Sequence, residues 1–401
     1  MGTWLSKVSP PRSTGWSALP PELLDLVLRR LSSYADRLRL ASVCRHWRLI
    51  AMRYSVPTLP PVLPWLNFHD GTFLSLPDGE RHTFRFSKYG HCVGSFSPGW
   101  LLFEKAERRR PGRQRHFLKS LLLKTTVRLP GRCSEPVDLN PDGSLSTGSG
   151  STRSRFFIIS KVIVCSGDLI AAKVNYRRHR PCAVVCCRPG MSSWSTGLCN
   201  GRWYRDMAFY KGKLYTVTTE GHLFVHGVTN DGDNGEPRVS RVEQVIQAPP
   251  PFKFTLDGPY ATVGCNRMCY LVVSRTGKLL MVRWIVPCDC RSSEDSKMTL
   301  KVFEADFDMS RWLQVESLGD QVLFVSSYSS KAFSASSHHC HYLRGNQIFF
   351  IDDGLMSCRL WTTSKPRTCC MYDMSRNTIH SISLGNLHIN DLSKASWFFL
   401  G

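Results

Sequence analysis

The sequence predicts a mainly β chain: a divergent propeller of about six to eight blades behind a small N-terminal helical unit. After residue 65, short runs rich in β-branched and aromatic residues meet repeatedly at glycine-containing turns. These hairpins continue over about 335 residues, where a sandwich or barrel more often stops near roughly 250. Helical spacing, in contrast, is confined to residues 19–51.

The first fifteen residues, opening "MGTWLSKVSPPRSTG", read as a flexible N-terminus. Gly2 to Ser6 fits the M-G-x-x-x-[ST] pattern of N-myristoylation, and Lys7 follows it. A single acyl chain would hold a membrane only marginally. Leu19, Leu23, Leu24, Val27, Leu28 and Leu31 then recur at the three-to-four spacing of one helix face, with Pro20 and Pro21 suited to its first turn. "SSYADR" breaks the pattern, offering Ser33 as an N-cap and Asp36 near the positive end of the next helix. A second helical stretch places Leu40, Cys44, Trp47 and Ala51 on one side, with Arg39, Arg45 and Arg48 elsewhere. Fully burying a large apolar side chain contributes roughly 1.5–3 kcal/mol. Two or three short helices cannot enclose all of these, so some of this surface expects a partner.

"SVPTLPPVLP", residues 55–64, reads as a proline-rich linker. Beyond it, "FLSLPDGERHTFRF" is strand, turn and strand, and "KVIVCSGDLIAAKV" repeats this around Ser166-Gly167-Asp168. "KLYTVTTEGHLFVHGV" does so around Glu220-Gly221, and "CYLVVSRTGKLLMVRWIV" around Thr276-Gly277. "NQIFFIDDGLMSCRLW" has the same form: a strand over Gln347 to Ile351, a turn at Asp352-Asp353-Gly354, then a second strand. Aspartate tolerates turn geometry and hydrogen-bonds its own backbone, so this carboxylate pair reads as a turn and not as a catalytic dyad.

With 401 residues, 42% hydrophobic, the chain can bury a substantial core. It contains no run of eighteen apolar residues and no apolar secretory segment at its start, so neither membrane spanning nor export is expected, and nucleus or cytoplasm is the expected location. The 16 cysteines follow no C-x-x-C repeat. Cys165, Cys186, Cys269 and Cys358 interrupt strand-like runs, as core thiols do. "SHHCHY" (His338, His339, Cys340, His341) offers zinc-type ligands, but neighbours along a strand point to opposite faces. No metal or other cofactor is expected. A net charge of +21 admits an acidic partner, including nucleic acid. Much of it comes from Arg108, Arg109, Arg110, Arg113 and Arg115 and from Arg177, Arg178 and Arg180, in loop-like stretches with no interleaved aromatics to stack on bases. These read as a solvated basic rim. No G-x-S-x-G elbow, phosphate loop or H-E-x-x-H motif is present, so no enzyme is expected.

The stretch "LPPELLDLVLRRLSSYADRLRLASVCRHWR" resembles an F-box, at Leu19-Pro20, Glu22-Leu23-Leu24, Val27, Leu31, Asp36, Leu38, Leu40, Val43-Cys44 and Trp47. The turn before Asp36 is one residue longer than the common form, and Arg37 stands where leucine is frequent. The resemblance implies docking to a Skp-family adaptor, and through it to a cullin-RING ubiquitin-ligase core. It assigns Leu19, Pro20, Leu23, Leu24, Val27, Leu31, Val43, Cys44 and Trp47 to the adaptor contact. Further on, "GSFSPGWLLFEK", "CRPGMSSW", "WYRDMAFYKGKLYTVT", "YLVVSRTGKLLMV" and "WLQVESLGDQVLFVS" with "RGNQIFFIDD" are similar, in order, to the KIB-type β-propeller found behind plant F-boxes. His341-Tyr342 departs from that family's usual Pro-Gly. The implied organisation is an F-box over residues 16–54, a linker over 55–64 and a propeller over 65–401. The implied role is substrate recognition in an SCF-type ubiquitin ligase, the propeller binding an unidentified protein substrate. The alternative is a basic propeller that binds nucleic acid without a ligase role.

Overall fold

The structure is a computed structural model. It describes residues 15–16, 19–31, 33–53, 62–76, 79–84, 86, 90–96, 99–106, 114–120, 125–133, 136–139, 157–165, 168–176, 182–195, 197–230, 235–250, 266–286, 299–336, 343–351, 369–382 and 395–399. Two compact units divide between Val62 and Leu63.

The N-terminal unit holds three helices, α1 (Pro21–Arg30), α2 (Tyr34–Val43) and α3 (Arg45–Arg53). Pro20 sits at the N-cap of α1 with Pro21 just inside, where a missing N–H costs nothing. The Arg37 guanidinium donates to the Leu31 carbonyl at 2.9 Å, satisfying an acceptor just past the end of α1. Ser33 occupies the N-cap position of α2 in extended backbone, but its side chain makes no capping bond. The expected second stretch is broken: Cys44 is extended (φ −155, ψ 172) and divides α2 from α3. Its thiol accepts from the Trp47 amide at 3.4 Å and its carbonyl from the Arg48 amide at 3.0 Å, so Cys44 caps α3. The break lets α3 fold back, closing a small core of Leu24, Leu28, Leu40 and Ile50.

The second unit contains six sheets among the described residues, in chain order around a propeller. The first blade pairs Trp65–Asn67, Thr72–Leu74 and Arg81–Thr83 with the C-terminal strand Ser396–Phe398. The second runs His91–Phe96, Trp100–Ala106, Gln114–Ser120, Thr126–Arg128. The third is Phe157–Val164, Ile170–Tyr176, Ala183–Cys187 and Leu198–Cys199, with Val137–Asp138 added in parallel at its outer edge. The fourth spans Tyr204–Tyr210 to Pro237–Ile246, and the fifth Asn266–Val273 to Arg311–Val315. The sixth departs from a plain meander, because Gln321–Val325 pairs in parallel with Gln347–Ile351.

The predicted turns at Gly221 (φ 102) and Gly277 (φ 72) join adjacent strands and use backbone that glycine adopts without strain. The turn expected at Asp352-Gly354 lies outside the described residues. Gln347–Ile351 takes Cys369–Asp373 as its antiparallel partner, with Ile351 opposite Cys369. Apolar packing falls between blades, in layers such as Ala171, Val184 and Leu198 against Met207 and Leu214, and Tyr270, Val282 and Trp284 against Leu323, Ile348 and Phe350. Leu63 already packs with Leu66 and Phe68, so the propeller's core begins inside the expected linker.

The C-terminal strand closes the ring. Leu66 lies opposite Trp397 and Asn67 opposite Ser396. Fully buried Trp397 donates its indole N–H to the Val325 carbonyl at 3.0 Å and stands edge-on to Phe324, while the Ser329 hydroxyl donates to the Trp397 carbonyl at 2.7 Å. Those three contacts reach the sixth blade. Ser396 reaches the second, its Oγ accepting from the Ser95 amide at 3.3 Å and sharing a hydrogen bond with His69 Nε2 at 3.0 Å. Trp397→Ala should therefore destabilise the propeller by about 3–5 kcal/mol, read from the urea midpoint. A shift no larger than that of an exposed substitution would show that closure does not depend on this side chain.

Candidate functional site

The spacing that makes α1 amphipathic gives it more apolar surface than its own core consumes. Leu24 is fully buried in that core, and Leu19, Leu31 and Trp47 are half-buried against it. Trp47 also donates its indole N–H to the Trp16 carbonyl at 3.0 Å, and His46 Nε2 lies 3.2 Å from the Leu19 carbonyl. Trp47 and His46 thus tie Trp16 and Leu19 to α3. Leu23 and Val27, four residues apart on one side of α1, are 48% and 41% exposed, and Val43 is 60% exposed. Pro20 is exposed and Cys44 half-buried as the cap of α3. The nine residues assigned by resemblance therefore divide into an inner set around Leu24 and an outer set of Pro20, Leu23, Val27 and Val43. Leu26 and Leu49, about half-exposed, belong with the outer apolar surface, as does Trp16. Their apolar character at solvent-facing helical positions was the available signal in the sequence.

The propeller buries a charged group at the meeting of three blades. Asp206, on the inner strand of the fourth, pairs with Lys161 of the third and accepts from the Leu271 amide of the fifth at 2.7 Å. Its third donor is the Met207 amide at 2.7 Å. Lys173 donates to the Arg205 carbonyl at 2.7 Å, and burial pulls its pKa down. Asp206 compensates the Lys161 charge and Lys173 rests on main-chain carbonyls of the fourth blade, so the cluster ties blades together.

The described cysteines are free, and all but Cys44 are buried. Burial pushes the thiols of Cys165, Cys187 and Cys269 up to about 12, far from the thiolate range of a nucleophile. Cys358 lies outside the described residues, as do His338, His339, Cys340 and His341. Among the described residues no cluster of His, Cys, Asp and Glu is placed to hold a metal, and no helix is long and apolar enough to cross a membrane. Gly2 lies outside them, as do Arg108, Arg109, Arg110, Arg113, Arg177, Arg178 and Arg180, while Arg115 is described and exposed.

The KIB1-4 β-propeller family matches residues 73–373, and an F-box-like family matches residues 16–56. F-box protein At2g26160 of Arabidopsis thaliana is 24% identical over 353 residues, covering 84% of this chain and 96% of its own length. F-box protein SKIP23 of the same plant is 23% identical over 361 residues, covering 84% and 83%. Among solved structures, a glycosyl hydrolase from Bacteroides ovatus aligns with a TM-score of 0.27 and 12% identity over 64% of this chain and 76% of its own, too loose a likeness to bear on function.

Two buried histidines set an acid limit on the propeller. His226 shares a hydrogen bond with the Thr216 hydroxyl at 2.8 Å, its Nδ1 has no partner, and burial lowers its pKa to about 3. Burial lowers that of His116 to about 4. Both stay neutral in the fold while the unfolded chain takes up protons near 6.5, so the unfolded state binds more protons below that pH. Stability should hold above about pH 7 and fall as pH drops through 6.5, by about 1.4 kcal/mol per unit for each histidine until its folded pKa is reached. Urea midpoints across this range measure it. His116→Phe should flatten the decline, and an unchanged slope would remove His116 as a cause.

Proposed function

Since the chain belongs to the KIB1-4 β-propeller family and carries an F-box-like unit ahead of that domain, we propose that it is the substrate-recognition subunit of an SCF-type ubiquitin ligase. In this reading the helical unit docks a Skp-family adaptor, the adaptor links it to a cullin-RING core, and the propeller holds a protein substrate for ubiquitination. The receptor itself performs no chemistry, since ubiquitin transfer belongs to the core it recruits. The observation that carries the reading is the uncovered apolar surface of α1, Leu23 and Val27 with Leu26 beside them, on a unit whose own core is already closed by Leu24 and Leu28. Aliphatic side chains at i and i+4 on one helix face are what a helix presents to a partner's groove. The relatives' names, F-box proteins of Arabidopsis thaliana, agree with the adaptor-docking half of the reading.

The distinction between inner and outer residues generates the test. Leu23→Asp with Val27→Asp should lower affinity for a Skp-family adaptor at least tenfold, roughly the loss of one apolar anchor or more at an interface centre. It should leave the helical unit folded, because neither side chain is buried in its core. Calorimetric titration with purified adaptor, beside circular dichroism, reads both quantities. Adaptor binding undiminished in the folded double variant would remove this surface from the interface.

A further inference from the structure

The strongest unassigned feature of the propeller is a cleft of about 590 Å³ between its second and third blades. One wall comes from the outer strands Gln114–Ser120 and Thr126–Arg128 and the chain that follows them, the other from the turn after Ala183–Cys187. Arg115, Arg128 and Arg132 line it, with Gln114, Thr126 and Ser192. No carboxylate is among the described residues of the lining.

The cleft is built to present donors. Trp194, 2% exposed, consumes two main-chain acceptors of the wall: its indole N–H donates to the Pro130 carbonyl at 3.0 Å and its amide to the Arg132 carbonyl at 2.9 Å. The Leu129 amide takes the His116 carbonyl at 3.0 Å. Across the cleft, Arg188 anchors the opposing turn to the fourth blade, donating to the Gly235 carbonyl at 2.6 Å and to Asn230 Oδ1 at 3.0 Å. The Pro130, Arg132 and His116 carbonyls are thus engaged in holding the walls, and the Arg128 and Arg132 side chains lie along the cleft with Thr126 and Ser192. Such a lining suits an anion. The apolar remainder, Val127, Leu129, Pro130, Pro189 and Met191, contains no aromatic face on which a base could stack.

We propose that this cleft binds an anionic peptide segment, one carrying clustered carboxylates or a phosphate, so that arginines of the second blade supply charge recognition to the substrate-binding surface. The proposal rests on the receptor reading for its biological role and deepens it by naming the chemistry of the segment recognised. Walls fixed by Trp194 and Arg188 lower the ordering cost of binding, and the chain's net charge of +21 favours encounter with an acidic partner.

The test uses the full-length chain co-purified with its adaptor and fluorescence anisotropy at near-physiological salt. The probes are a labelled polyglutamate peptide, a labelled phosphoserine peptide and a labelled single-stranded oligonucleotide. At least one peptide should bind, and Arg128→Glu with Arg132→Glu should weaken it by at least about tenfold. Lys213→Glu with Arg238→Glu, an equal change of charge on the fourth blade, should change it by less than about twofold. The two peptides distinguish carboxylate from phosphate recognition. If the glutamate pair lowers the thermal midpoint, Arg128→Gln with Arg132→Gln replaces it and must still weaken binding by more than the control. No binding of either peptide, equal losses in the two variants, or tighter binding of the oligonucleotide than of both peptides would overturn the proposal. Adaptor co-purification is expected to be unchanged throughout, so failure of the cleft is separable from failure of the receptor reading.

Discussion

Everything in the propeller depends on one noncovalent closure, the pairing of Ser396–Phe398 with Trp65–Asn67. A ring of sheets has no natural end, and its first and last blades are held only where the chain's end meets its beginning. The protein places this joint in three residues. Trp397 faces the sixth blade, with its indole on the Val325 carbonyl and its ring against Phe324, and Ser396 faces the second through Ser95. Every surface that the rim offers, including the cleft beside Arg128, has its geometry fixed only once this strand is seated. Pairing of such long sequence separation carries a large loop-closure cost before any reward, so the joint must combine hydrogen bonds with a fully buried aromatic.

A second tie lies where the third, fourth and fifth blades meet. Asp206 joins Lys161 and the Leu271 amide, and nearby Lys173 holds the Arg205 carbonyl. Buried charge of this kind contributes little net stability compared with well-packed apolar residues, but removing one partner is costly. Its value here is registration: the apolar layers between blades are non-directional and tolerate sliding, whereas a carboxylate with three defined donors does not.

Much of the fold was legible in the sequence because hairpins are local. The glycine turns at Gly221 and Gly277 announced themselves, and their strands pair as expected. The closing strand was not legible, since three residues give no periodicity and their partner lies at the other end of the domain. Nor was the partner of Gln347–Ile351, because the Asp352-Gly354 turn signal pointed to the next residues while the sheet takes Cys369–Asp373. Helical periodicity identified the apolar faces of the N-terminal unit but could not separate Leu23 from its neighbour Leu24. One helix turn offers both, and only the packing of α3, redirected at Cys44, determines that Leu24 goes inside. The cleft was hidden for another reason: Arg128 and Ser192 are brought together by two blades and share no local pattern.

In the proposed reading the two units divide the work along the chain. The helices keep an apolar face that their own core does not cover, and the propeller lines one cleft with Arg115, Arg128 and Arg132. The most direct measurement of this division is quantitative affinity purification from cells with proteasome activity blocked, comparing the full chain with a fragment beginning at Leu63. Both should recover a common protein, the full chain alone should bring the adaptor with it, and the shared protein should carry ubiquitin only in the full-chain sample. A soluble fragment that recovers none of the proteins found with the full chain would contradict the assignment of substrate recognition to the propeller.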